Sequence, residues 1–221
     1  MFFTKAALAA VCLSFSLSAS PIIVGPIVFA GQLESGDVLT DNGPFSTPAS
    51  SPTAFLFFES YYTGAPAVNC RNTGACTGAN IQTSNLPWET YQVYLLHLDI
   101  NPNRLLNPVT LAQDPTFGIL FDHPIAGLIV TRAQLNNTDA TMGVAGVAYP
   151  TPLLQARGLD LLSPDSVTLD ATNPALLRAI NLSIGSGEDE IRILVENPEP
   201  STWFLLGSAL PLLGLARRFR R

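Results

Sequence analysis

Apolar and polar positions alternate with a period of two through much of the middle of the chain. Tyr91, Val93, Leu95 and His97 fall on one face of a strand, and Gln92, Tyr94, Leu96 and Leu98 on the other. Phe117, Ile119 and Phe121 repeat the spacing, as do Ile191, Ile193 and Val195 against Arg192, Leu194 and Glu196. Residues 53–62 are rich in aromatics, and shorter strand-like segments occupy 167–169 and 180–182. The continuous apolar run over 125–131 suits a strand buried on both faces. Turn chemistry separates these segments at Asp41-Asn42-Gly43-Pro44, Asn101-Pro102-Asn103, Asp122-His123-Pro124 and 183–189. Residues 131–135 and 176–179 are each expected to form one helical turn, and no long amphipathic helix is apparent. The pattern predicts an all-β fold, an antiparallel β-sandwich of jelly-roll-like character.

The two ends follow a different pattern. Met1-Phe2-Phe3-Thr4-Lys5 is a short cationic start, and residues 6–17 are apolar and uncharged, as in a secretory signal peptide. Ser20-Pro21 and Gly25-Pro26 interrupt a helix there before a full membrane span. Val28-Phe29-Ala30 offers small residues at the positions a signal peptidase inspects, so cleavage is expected after Ala30, with an earlier cut near Ala19 or Ser20 as the alternative. Cys12 lies inside the apolar stretch behind the bulky Val11, which argues against a lipoprotein site.

At the other end stand Pro198-Glu199-Pro200-Ser201-Thr202, a 14-residue apolar run over 203–216, and Arg217-Arg218-Phe219-Arg220-Arg221. As a helix the run is about 21 Å long, against a hydrocarbon core of about 30 Å, so it spans weakly. Trp203 suits one interface, and the Arg cluster is expected to stay cytoplasmic. This tripartite tail resembles the PEP-CTERM sorting signal of Gram-negative bacteria. The resemblance covers 198–221 and implies transient inner-membrane insertion, then processing by an exosortase and delivery to the cell surface or extracellular matrix. An ordinary tail anchor is the rival, although such an anchor normally runs to about 20 apolar residues and Pro211 interrupts this one. The chain therefore divides into a signal peptide (1–30), a secreted domain (31–197) and a sorting signal (198–221).

Residues 31–197 are long enough for one domain with a real core. They carry six arginines against sixteen acids, a net charge of −10, and no lysine. Nucleic acid and anionic lipid surfaces are thereby disfavoured as partners. Cys70 and Cys76 flank a polar, turn-like segment, and in an exported protein they are expected to form a disulfide closing a small loop. Such a short ring removes little unfolded-chain entropy, about 2 to 3 kcal/mol at most.

Candidate chemistry is sparse. His97 and Asp99 share one strand face, where a base with an orienting carboxylate is conceivable, but a structural pair is the preferred assignment. His123 is the other histidine. No nucleophile elbow, phosphate loop or zinc spacing is present, so the chain is expected not to be an enzyme and to need no cofactor. Asp99, Asn101 and Asn103 place alternating oxygens where a strand is expected to meet a loop, as a calcium site would, yet Arg104 and Thr110 stand where an EF-hand needs Gly and Glu. Glu188-Asp189-Glu190 is expected to be a solvated turn. Tyr61, Tyr62, Trp88 and Tyr91 are aromatic rings on which a sugar can stack.

Five blocks, Tyr94 through Asp99, Phe121 through Gly127, Arg157-Gly158-Leu159, Asp165 through Leu169 and Glu190 through Leu194, resemble uncharacterised secreted PEP-CTERM domains. The resemblance implies a β-sandwich and carries no activity. The expectation is an exported, non-catalytic surface or matrix protein, partnered during export by signal peptidase and exosortase and afterwards by exopolysaccharide. The alternative is a secreted carbohydrate- or calcium-binding module, or a hydrolase using His97 and Asp99.

Overall fold

Alternating and continuous apolar segments become strands in the computed structural model. It describes residues 20–40, 43–48, 51–71, 74–77, 80–110, 118–150, 157–159 and 165–197, with backbone alone for 100–110, 179 and 183–187. In chain order the strands are β1 (Ile22–Val24), β2 (Ile27–Gln32), β3 (Ser46–Pro48), β4 (Ala54–Gly64), β5 (Ala67–Val68), β6 (Gly74–Thr77) and β7 (Ser84–Asn85). There follow β8 (Glu89–Thr110), β9 (Gly118–Leu120), β10 (Ile125–Ile129), the helix α1 (Arg132–Met142), β11 (Ser166–Leu169), β12 (Leu176–Asn181) and β13 (Ser183–Glu196). The fold is mostly β with one short helix.

One five-stranded sheet has the order β1-β9-β12-β11-β6, and a six-stranded sheet the order β10-β13-β8-β4-β2, with β3 also on β8. Their pairings are antiparallel except β2 with β4 and β3 with β8, which are parallel. The main core draws on both sheets: Leu56, Leu96, Leu98, Ile191 and Ile193 from the larger, Ile119, Val167, Leu177 and Ile180 from the smaller. The other face of the larger sheet is covered as well. Val93 and Leu194 pack with Leu135 and Met142 of α1, while Phe57 and Leu95 pack with Leu33, Leu39 and Tyr149. Burial on both faces explains why β8 is apolar at nearly every position from Tyr91 to Leu98.

The disulfide expected between Cys70 and Cys76 is present, with Cα atoms 5.9 Å apart. It does more than pin a loop. Cys76 lies in β6 of the five-stranded sheet, paired with Val167. The Cys70 backbone exchanges two hydrogen bonds with Leu128 of β10, at 3.2 and 2.9 Å. A short covalent ring thus ties an edge of one sheet to an edge of the other.

Four local expectations are corrected. Asn101-Pro102-Asn103 is not a turn but lies within β8, where β3 runs alongside Asp99 to Asn101. Pro102 lacks an N–H, and it falls in the register shift between Ser186 and Glu188, opposite the gap from Asp99 to Arg104. Residues 183–189 are part of β13, and 176–179 begin β12 rather than a helical turn. The turn at 131–135 grows into the 11-residue α1. Asn136, Asn137 and Thr138 are weak helix formers, and tertiary bonds to Thr138 and Asp139 hold them in helical form.

Among the described residues no helix is long and apolar enough to cross a membrane. The apolar stretch over 6–17, Pro198, Glu199, Pro200, Trp203 and the Arg cluster lie outside the described residues. The signal-peptide segment drawn as 1–30 nevertheless overlaps the fold. β1 pairs with β9, β2 pairs with β4, and Ile27 is buried in the main core. A cut after Ala30 removes β1 and most of β2, whereas a cut near Ala19 or Ser20 keeps both. N-terminal sequencing of the mature protein from its native host is expected, if a signal peptide is removed, to begin within a residue or two of Ser20. A sequence beginning at Gly31 would mean that both strands are dispensable.

Candidate functional site

The outer face of the six-stranded sheet, beneath α1, holds the densest collection of charged side chains among the described residues. Register sets it up: His97 stands opposite Glu190, Leu95 opposite Arg192 and Asp99 opposite Glu188. All of these side chains therefore project from the same face as Val93 and Leu95. On β4 a register shift between Phe58 and Ser60 leaves Glu59 as the extra residue of a bulge. Its carboxylate meets the guanidinium of Arg192, and both residues are buried.

Arg192 spends its donors fully. Nε donates to Glu59 Oε2 at 2.6 Å and Nη2 to Glu59 Oε1 at 2.9 Å. Nη2 also reaches Asp139 Oδ1 at 3.0 Å, and Nη1 donates to Thr138 Oγ1 at 2.6 Å and to the Leu135 carbonyl at 3.3 Å. Asp139 is shared with a second guanidinium: Arg157 donates from Nη1 and Nη2 to its two oxygens at 2.6 and 2.9 Å. Arg157 also donates to Asn136 Oδ1 at 2.9 Å and, through Nε, to Glu190 Oε2. Glu190 Oε1 in turn lies 3.0 Å from His97 Nδ1. Tyr149 donates to Glu59 Oε1 at 2.7 Å, and its ring lies under both guanidinium groups, at 5.4 and 5.8 Å.

Local backbone geometry delivers these groups. Asn69 Oδ1 accepts from the amides of Val130 and Thr131, at 2.9 and 3.1 Å, fixing the entry to α1. Thr131 bridges antiparallel to Gly158, and the Leu159 amide donates to the Val130 carbonyl at 2.8 Å. Gly158 has φ +92°, and a Cβ there would strike the Val130 carbonyl, so only glycine lets Arg157 approach.

The electrostatics follow from this alternation of sign. Burial alone acts to raise the Glu190 pKa, but the Arg157 charge and the His97 contacts outweigh it and hold the carboxyl below its ordinary value. Burial opposes the charge on Arg157 and Arg192, and the attraction of Glu190 and Asp139, and of Glu59 and Asp139, holds both above the usual arginine value. Burial and the Glu59 charge push the Tyr149 hydroxyl up, so it remains a donor.

His97, Glu188 and Glu190 also offer one ligand atom each, all within 4.8 Å of one another. Both oxygens of Glu190 are already engaged, so a cation there competes with the Arg157 guanidinium. The calcium arrangement expected at Asp99, Asn101 and Asn103 does not sit at a strand-to-loop junction, because β8 continues through it. Asp99 is buried, and Ser46 donates to its Oδ2 from β3.

His97 and Asp99 do share a face, as expected, but the partner of His97 is Glu190 across the ladder. His123 is elsewhere, in the β9–β10 turn, 3.6 Å from Asp122. Glu188, Asp189 and Glu190 are buried strand residues and not a solvated turn. Of the aromatics, Trp88 and Tyr61 are exposed, Tyr91 is buried, and Tyr62 packs partly against the cluster beneath α1. Sequence reasoning passed over Glu59, Asp139, Arg157 and Arg192. A charge set within the otherwise apolar run Ile191 to Val195 was the available signal for Arg192.

Protein-family models, curated proteins and solved structures contain no match to this chain.

Replacing Arg192 by Met leaves the buried Glu59 carboxylate without its guanidinium partner, and is expected to cost about 3 to 5 kcal/mol in urea unfolding. The double variant Arg192→Met with Glu59→Leu is expected to recover part of that loss; a single-variant cost below about 1 kcal/mol would deny the network this role. Because the folded pKa of Glu190 is depressed, its contribution is full above the ordinary glutamate range and is lost as pH falls through the lower folded value. Stability is therefore expected to drop on acidification below about pH 4, and less steeply in Glu190→Gln, as read by thermal unfolding.

Proposed function

We propose that this chain is an exported, non-catalytic cell-surface or extracellular-matrix protein whose C-terminal tail is processed by an exosortase. The observation that carries this reading is the tripartite tail together with the place where it begins. The Glu196 amide donates to the Pro124 carbonyl at 2.9 Å and the Asn197 amide to the Thr90 carbonyl at 3.1 Å. The domain's own hydrogen bonding thus runs to the residue directly before Pro198, and the motif starts without an intervening linker. The Cys70–Cys76 disulfide suits an oxidising compartment outside the cytoplasm.

In this reading signal peptidase and the exosortase act in turn, the tail inserts transiently in the inner membrane, and the product associates with exopolysaccharide at the surface of a Gram-negative cell. The exported domain is a β-sandwich of the two sheets that share the main core, with two parallel pairings that a regular jelly roll lacks. Its outer-face charges tie elements together, in keeping with a scaffold.

The deciding measurement is the intact mass and C-terminal peptide of the protein purified from its native host. The expected product ends near Pro200, with or without an added surface group. Retention through Arg221 would make the protein a tail-anchored one and overturn the proposal.

A further inference from the structure

Three of the domain's arginines are held in ion pairs. Arg157 and Arg192 are buried in ion pairs, and Arg178 is held by Asp170 at 2.7 Å. Arg71 differs. It is exposed, its Nη1 donates to the Asn85 carbonyl at 3.2 Å, and among the described residues no carboxylate pairs with it. Its backbone is well anchored, since it directly follows Cys70, which is fixed by the disulfide and by Leu128.

Arg71 stands where two clefts meet. The first, about 330 Å³, is lined by the neutral polar side chains of Asn80, Gln82, Thr83 and Ser84. The second, about 460 Å³, sets Glu89 and Glu196 against the apolar surfaces of Pro87, Ile125 and Pro174. The Tyr91 hydroxyl in that cleft is pushed up to about 12 by burial and by the charges of Glu89 and Glu196. Trp88, between two residues that line the second cleft, is 75 % exposed.

A ligand matching this surface needs a carboxylate for the guanidinium fork, hydroxyl groups that donate to the two glutamates and bond the amides and hydroxyls, and an apolar face for the proline surfaces. We propose that the paired clefts around Arg71 bind an acidic saccharide of the uronate type. A bare phosphate satisfies the guanidinium, but it has no apolar face for Pro87 and Pro174 and no spread of hydroxyl groups to reach both Glu89 and Glu196. The inference goes beyond the sorting of the tail and does not depend on it. It concerns a local cation on a domain whose overall charge disfavours long polyanions, so short oligomers are the suitable probes.

The test is calorimetric titration of the protein purified from its host with trimers of galacturonate, glucuronate and mannuronate, with their methyl esters and with inorganic phosphate. At least one uronate trimer is expected to bind, its ester at least about tenfold more weakly, through loss of the charge-assisted bonds. Arg71→Gln is expected to weaken binding by at least about tenfold at unchanged melting temperature, and Glu196→Gln to weaken it several-fold. The proposal is overturned by no uronate binding up to about 10 mM. It is equally overturned by equal binding of acid and ester, by wild-type affinity in Arg71→Gln, or by binding of phosphate alone. None of these outcomes bears on where the C-terminus is cut.

Discussion

The buried guanidinium of Arg192 is the constraint around which the outer face of the larger sheet is built. Taking such a charge out of water costs several kcal/mol unless every donor finds an acceptor. Glu59 supplies a two-point partner, Asp139 and Thr138 take further donors, and the Leu135 carbonyl takes another. Each requirement fixes an element: the β4 bulge that turns Glu59 inward, the depth at which α1 lies on the sheet, and, through shared Asp139, the position of Arg157. α1 has poor helix formers at its centre and no side-chain hydrogen bond at its N-cap. Its stability is borrowed from bonds that only the assembled sheet provides.

Three consecutive residues couple this face to the rest of the domain. Asn69 holds the entry to α1, Cys70 joins the two sheets through its disulfide and its bonds to Leu128, and Arg71 presents its guanidinium at the junction of the two clefts. The loop that sequence reasoning took for a small pinned appendage is thus an anchor shared by helix, sheets and surface. A short ring contributes modestly through chain entropy. Its larger effect here is positional, because neither Asn69 nor Arg71 can shift without moving Cys70.

Strand existence was legible where the hydrophobic period reports one buried face, and several segments marked by alternation or apolar runs are strands. Boundaries were less so. Asn101-Pro102-Asn103 and 183–189 have turn composition, yet the first lies within β8, where β3 pairs with it as far as Asn101, and the second pairs along β8 from Leu98 to Thr110, long-range events that local propensity does not encode. The candidate site was legible only in part. His97 and Asp99 were correctly placed on one face, but the pair expected between them is instead His97 with Glu190 across the ladder. A single sequence does not reveal that a second layer, α1 and the 157–159 segment, will cover that face and carry the opposite charges. The triplet Glu188-Asp189-Glu190 was misjudged as a turn because its pairing with β8 is long-range, and within it Glu190 is compensated by Arg157 and His97, which sequence spacing does not place beside it.

That compensation also bears on why charges are placed there at all. A strand carries side chains on alternating faces, so slipping β13 by one residue against β8 would turn Glu190 and Arg192 into the core between the sheets and expose Ile191 and Ile193 to the wrong layer. With apolar residues on both faces, β8 and β13 would tolerate such a slip at little cost, because either face could be buried. The line Glu59, Arg192, Asp139, Arg157, Glu190, His97 removes the degeneracy. Only the observed register lets each cation meet its carboxylates, and a one-residue slip strands Glu190 and Arg192 in apolar surroundings. In a long central ladder that is buried on both sides, specificity of pairing is the contribution that packing alone does not supply.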